Sequence, residues 1–114
     1  MPIEKWSDRI VIAHLAADPH LGDDLQSVQD QLSDRAGPDV ILDFAGIKYL
    51  NSSHIARLLK LRKAVHGAGN RLVLCAVDTQ VWGAFLVTGL DKIFEFTDSV
   101  PTALAGLQIT QNPS

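Results

Sequence analysis

Apolar positions along this chain form two kinds of run, short continuous ones and spaced ones, and the two kinds alternate. Arg9–Leu15 holds Ile10, Val11 and Ile12 in succession, and Pro2–Trp6 precedes it across Ser7-Asp8, so the two read as short neighbouring strands. Asp18-Pro19-His20 breaks the pattern. From Gly22 to Arg35, Leu25, Val28 and Leu32 recur at spacings of three and four, which predicts a helix with one apolar side. Ala36-Gly37-Pro38 supplies its stop. Asp39–Phe44 is almost continuously apolar, as a strand covered on both faces must be.

The next helix is expected from about Ser52 to His66. Ile55, Leu58, Leu61 and Val65 form its inward stripe, and Arg57, Lys60 and Lys63 face away. Arg62 falls inside the apolar arc, where its aliphatic stem can lie along the core while its head reaches water. Gly67-Ala68-Gly69-Asn70 closes the helix, and Arg71–Val77 reads as another buried strand. Asp78 or Thr79 can cap a helix carrying Val81, Phe85 and Leu86 and ending near Gly89. Ile93–Phe96 is a short strand; Asp98 or Ser99 then caps a terminal helix with Pro101 in its first turn, where a missing N–H costs little. Residues 109–114 are expected to fray.

Two strands, a helix and then strand–helix units predict an α/β fold. The sheet is mixed, with about four to five strands and about four helices packed mainly on one face. A chain of 114 residues supports a single domain spanning 1–114, with its core at about 9–108.

Charge changes this picture little. A net charge of −3 gives no reason to expect direct nucleic-acid binding. Its distribution is uneven: residues 1–43 hold nine acids and three bases, residues 44–114 four acids and seven bases. Solvated helix faces of opposite sign account for this, as does electrostatic fit to a partner. The single cysteine, Cys75, excludes an internal disulfide and sits in the apolar run Leu72–Val77, which suits a buried thiol. No run approaches 18 apolar residues and the N-terminus lacks a signal pattern, so a soluble cytoplasmic protein without membrane insertion is expected.

Candidate chemistry gathers at Asn51-Ser52-Ser53-His54. A hydroxyl at a helix mouth is well placed to carry phosphate, because the first N–H groups are free and the helix end is partly positive. Plain capping is the competing reading. Ser53 and His54 are neighbours about 100° apart on a helix, so a nucleophile–base pair is not expected there. The four histidines and one cysteine lack zinc-site spacing, and Gly67-Ala68-Gly69 follows a helix where a phosphate-binding fingerprint would open one. No cofactor is therefore expected. Trp82 stands where a polar helix position is anticipated; burial along the helix edge and an exposed anchor for self-association or a partner are the two readings.

The run Asp43-Phe44-Ala45-Gly46-Ile47-Lys48-Tyr49-Leu50-Asn51-Ser52-Ser53 resembles the signature of STAS domains, the family of bacterial anti-sigma-factor antagonists. Gly67–Cys75 and Leu86–Phe94 are similar to its next two landmarks. The resemblance implies a non-enzymatic regulatory module. An anti-sigma factor serine kinase would phosphorylate Ser52 (Ser53 is the second choice). The unphosphorylated form would bind that kinase, and a cognate phosphatase would reverse the switch. The implied partner surface comprises Asn51, Ser53, His54, Ala56, Arg57, Lys60 and Asp18. A weak homodimer is compatible with it. The chain departs from the family pattern at Asn51, where Asp is usual, at His54, where Gly is usual, and at Ile55-Ala56-Arg57, where Leu-Gly-Val is usual. Those changes favour a second reading: a scaffold or assembly subunit of a stress-sensing or transport complex, without a phosphate switch.

Overall fold

The computed structural model describes residues 3–17, 19–32 and 38–111. Five strands form one sheet in the order β1-β2-β3-β4-β5. They are β1 (Ile3–Ser7), β2 (Ile10–His14), β3 (Asp39–Asp43), β4 (Leu72–Cys75) and β5 (Glu95–Thr97). β1 runs antiparallel to β2, with an irregularity between Lys5 and Ser7, and the other pairings are parallel. The helices are α1 (Leu21–Gln31), α2 (Ser52–Gly67), α3 (Thr79–Thr88) and α4 (Val100–Gln111).

The two-residue period of the strands divides the core. Ala13, Val40, Leu42, Leu72 and Leu74 point to one face and join Leu25, Val28, Leu58, Leu61, Val65, Val81 and Phe85 from α1, α2 and α3. The alternate positions Ile10, Ile12, Ile41, Val73 and Cys75 point to the other face, where Ala103 and Leu107 of α4 cover them. Three helices on one face and one on the other agree with the expected arrangement, and α4 explains why β2, β3 and β4 are apolar at consecutive positions. Phe85 stands at the centre of an aromatic group, edge-on to Phe44, Phe94 and Phe96.

Capping resolves the open boundaries. Asp78 caps α3 by accepting from the Gln80 N–H at 2.9 Å, and Ser99 Oγ accepts from the Thr102 N–H at 3.3 Å ahead of α4. Gly89 ends α3 with φ of 75°, the left-handed region that favours glycine. The expected end of α1 at Ala36-Gly37-Pro38 falls largely outside the described residues.

Three expectations need correction. β5 covers Glu95–Thr97 and does not begin at Ile93. Residues Leu90–Lys92 form a 3₁₀ turn, the Ile93 N–H donates back to Leu90 O at 3.0 Å, and the chain extends only afterwards. Leu86 is half exposed beside the outermost Val87, so the inward side of α3 is Val81 and Phe85. Arg57 does not face away: its Nη1 donates to Gln26 Oε1 of α1 at 3.0 Å. Arg62 reaches outward from the apolar arc to the Ile93 carbonyl, Nε to O 3.3 Å.

Both faces of the sheet depend on large side chains with almost no exposure. Leu42→Ala and Leu107→Ala are each expected to lower the unfolding free energy by about 2–5 kcal/mol in urea titrations. A value near zero for Leu107 would show that α4 does not seal the second face.

Candidate functional site

All four parallel strands end at the same edge of the sheet, and the segment joining β3 to α2 crosses that edge. Its first half is anchored by backbone and core contacts. The Phe44 N–H donates to Cys75 O at 2.9 Å, the Ile47 N–H donates to Phe44 O at 2.9 Å, and both side chains are buried. Gly46 passes close to β2's extension: a β-carbon there would lie 3.4 Å from Leu15 O.

Two polar clamps hold this segment from either side. His14, opposite Asp43 in the β2–β3 register, places Nδ1 at 2.8 Å from Asp43 Oδ2 and Nε2 at 3.3 Å from Glu4 Oε1. The second Asp43 oxygen accepts from the Ala45 N–H at 3.0 Å. Both ring nitrogens face carboxylates, and only the imidazolium donates to both. Hydrogen bonding to Asp43 accordingly raises the His14 pKa above 6.5, burial opposes this, and Glu4 adds to the rise. On the other side Lys48 Nζ lies 2.8 Å from Asp78 Oδ2. That contact, with the Gln80 N–H, holds the Asp78 carboxyl below its usual range. The N-cap of α3 is thereby tied to the segment carrying the serines.

At the mouth of α2, Asn51 adopts an extended conformation and its Oδ1 accepts from the His54 N–H at 2.9 Å. His54 returns the contact: its Nδ1 accepts from the Asn51 N–H at 3.1 Å. This is a capping box with histidine in the place usually held by Glu or Gln. An accepting Nδ1 carries no proton, so the ring is held in its Nε2–H form. Only 5% of His54 is exposed, and Tyr49 lies edge-on to it with ring centroids 6.5 Å apart. His54 is thus a buried element of the helix start and not the surface imidazole expected; its ring is turned to the cap, away from any role as a base for Ser53.

Ser52 and Ser53 occupy the first turn and are exposed. Their backbone N–H groups have no acceptor among the described residues. Ala56, Lys60 and Lys63 are exposed farther along α2, while Arg57 is drawn onto α1 as described. Asp18 lies outside the described residues. Nearby, the loop after β2 is held by Asp24, 4% exposed, whose Oδ2 accepts from the Ala16 N–H at 2.9 Å. The surface also contains two residues that the periodicity did not single out: Tyr49, 64% exposed in the loop, and Leu59, 39% exposed on α2. Leu59 lies three residues after Ala56 and seven after Ser52, which puts it on their side of the helix. That spacing was readable in the sequence; the exposure of Tyr49 was not.

Among the described residues no group of three or more His, Cys, Asp or Glu is arranged to hold a metal ion, and no helix is long and apolar enough to cross a membrane. Cys75 is buried, its Sγ donates to Leu42 O, and burial pushes the thiol up to about 12, so it is no nucleophile at neutral pH.

Asn51→Ala is expected to destabilise the chain by about 1 kcal/mol in chemical denaturation, and Asn51→Asp to leave it near neutral. The raised His14 pKa means that its stabilising contribution is complete below about pH 6.5 and is lost as pH rises through the folded value. His14→Gln should remove the part of the pH slope that sets in above about pH 6.5, as the imidazolium loses its proton. An NMR titration placing His14 below its ordinary value would refute the two-carboxylate arrangement.

Comparison with known proteins agrees with this architecture. The STAS domain profile matches residues 22–103. A candidate anti-sigma factor antagonist from Thermotoga maritima superposes with a TM-score of 0.79 at 17% identity, covering 94% of this chain and 93% of that one. A variant of RsbS from Moorella thermoacetica gives a TM-score of 0.79 at 16% identity, covering 98% and 100%. The antagonist SpoIIAA of Bacillus, in its unphosphorylated form, gives 0.70 at 14% identity, covering 92% and 94%. At these identities the structures share the fold; the profile match over most of the chain carries membership, and the chain belongs to the STAS domain family.

Proposed function

We propose that this chain is a non-enzymatic regulatory binding module of the anti-sigma-factor antagonist kind. In this reading it binds an anti-sigma factor serine kinase and is released from it by phosphorylation of Ser52; a cognate phosphatase resets it. The observation that carries the proposal is the setting of Ser52: an exposed hydroxyl in the first turn of α2, beside two backbone N–H groups without acceptors among the described residues. SpoIIAA, which shares the fold, is known in both phosphorylated and unphosphorylated forms.

The physics of such a switch follows from the helix mouth. A phosphate brings about −1.5 to −2 charges and three acceptor oxygens. Within the fold it meets free N–H groups, the positive end of the helix dipole and no acidic side chain in the first turn of α2. At an interface packed on Asn51, Ser53, Ala56 and Lys60 the same charge must be desolvated, which opposes association. His54 and Arg57 serve this surface indirectly, one by capping α2 and one by joining α2 to α1. Ser53 is the alternative acceptor.

A scaffold role is the second reading, favoured by the exposed Tyr49 and Leu59, which suit a permanent contact. A stressosome structure shares this fold, with a TM-score of 0.76 at 18% identity.

Incubation with the cognate kinase is expected to add one phosphate by intact-mass spectrometry, and Ser52→Ala to abolish it. Full incorporation in that variant would move the acceptor to another residue. Phosphorylated chain should bind the kinase over about 100-fold more weakly by calorimetry, roughly 3 kcal/mol. A stable partner whose affinity is indifferent to Ser52→Asp would favour the scaffold.

A further inference from the structure

A second feature lies at the same edge of the sheet, at the carboxyl ends of β4 and β5. Ala76, Val77, Trp82, Phe96, Thr97 and Asp98 line a cleft of about 280 Å³. The backbone at this end of β4 is unusual. Ala76 has φ of 56°, the one non-glycine residue with positive φ among those described. A β-carbon is strained in that region, and such strain gathers at ligand sites.

The walls specify a chemistry. Trp82 and Phe96 meet edge to face, with centroids 4.9 Å apart and planes at 88°. Trp82 is half-buried, and its indole N–H has no acceptor among the described residues and is not sealed from solvent. The Thr97 hydroxyl is already committed to Ser99 O at 3.1 Å. Asp98 is exposed and makes no hydrogen bond or ion pair among the described residues. No lysine or arginine lines the cleft; Lys48, which reaches Asp78 beside Val77, is engaged there. An aromatic pair beside an unpaired carboxylate attracts positive charge.

We propose that this cleft is a binding site for an organic cation of the ammonium or guanidinium class. Trp82 and Phe96 supply the aromatic wall and Asp98 the counter-charge. The volume is small for a ligand pocket, so a fragment such as a methylated amine or the end of an arginine side chain fits and a nucleotide does not. The site uses none of the residues of the Ser52 surface and stands independently of the phosphorylation proposal. Trp82 is partly buried against the core along the edge of α3, as the first of the two readings expects, and the cleft uses the part left accessible.

The test is titration of the full chain, followed by the indole N–H signals in ¹H–¹⁵N NMR. Tetramethylammonium chloride, N-acetyl-arginine amide and a short arginine-containing peptide serve as separate probes at constant ionic strength. Trp6, on the opposite edge strand, is the internal reference. Saturable shifts at Trp82 with Trp6 unmoved are expected. Tighter binding of the peptide would assign the source to a partner's side chain; equal or weaker binding would assign it to a free cation. Asp98→Asn, at an exposed position, should weaken binding by about two- to fivefold, and neutral tert-butanol should give no saturation. Non-saturable shifts, unchanged affinity in Asp98→Asn, or saturation by tert-butanol would overturn the proposal.

Discussion

The structure depends on one constraint: β2, β3 and β4 are buried on both faces. Ile41 and Val40, adjacent in sequence, are both fully enclosed, one under α4 and the other under the three remaining helices. A strand in that position must satisfy every backbone group from its neighbours and every side chain from the covering helices. Parallel crossovers then become obligatory, and with them a single edge at which all the strands from β2 to β5 terminate. Both candidate sites lie on that edge because it is the one place where loops are free of the core yet anchored by it.

Rigidity at the edge comes from reciprocal polar contacts. Asp43 serves His14 with one oxygen and the Ala45 N–H with the other. Asp78 caps α3 while holding Lys48. Asn51 and His54 satisfy each other across the first turn of α2. Asp43 and Asp78 each tie the segment before α2 to a neighbouring element, and Asn51 closes the start of α2 itself. The serines themselves take no part, and this leaves their hydroxyls available without loosening the helix start.

The departures from the family pattern acquire a physical meaning in this setting. Histidine in place of the usual glycine after the serines does not present an imidazole to a partner; it replaces the Glu or Gln of a capping box and turns inward. Asparagine in place of Asp retains the capping oxygen without a carboxylate next to the hydroxyl. Arginine at position 57 spans to Gln26 and fastens α2 to α1. Two of these three substitutions, His54 and Arg57, act within the fold, one on the start of α2 and the other on its packing against α1.

Periodicity and caps were enough to read the order of elements, the inward stripe Leu58, Leu61 and Val65 of α2, and the position of the serine pair at a helix mouth. These are local properties: spacing, propensity and the chemistry of helix ends act within a few residues of one another. The start of β5, the exposure of Leu86, the engagement of Arg57 and the burial of His54 depended on which surface another element brought alongside, and no local pattern encodes that. The same holds for Trp82. Its sequence position marks it only as an aromatic on a helix, whereas Phe96, Asp98 and the turned backbone at Ala76 come from segments that meet it only when β4 and β5 pair. The sequence by itself determined the fold and the place of the serine pair, because both follow from short-range order; tertiary packing decided which side chains are exposed around it, because burial is a property of the assembled sheet and helices.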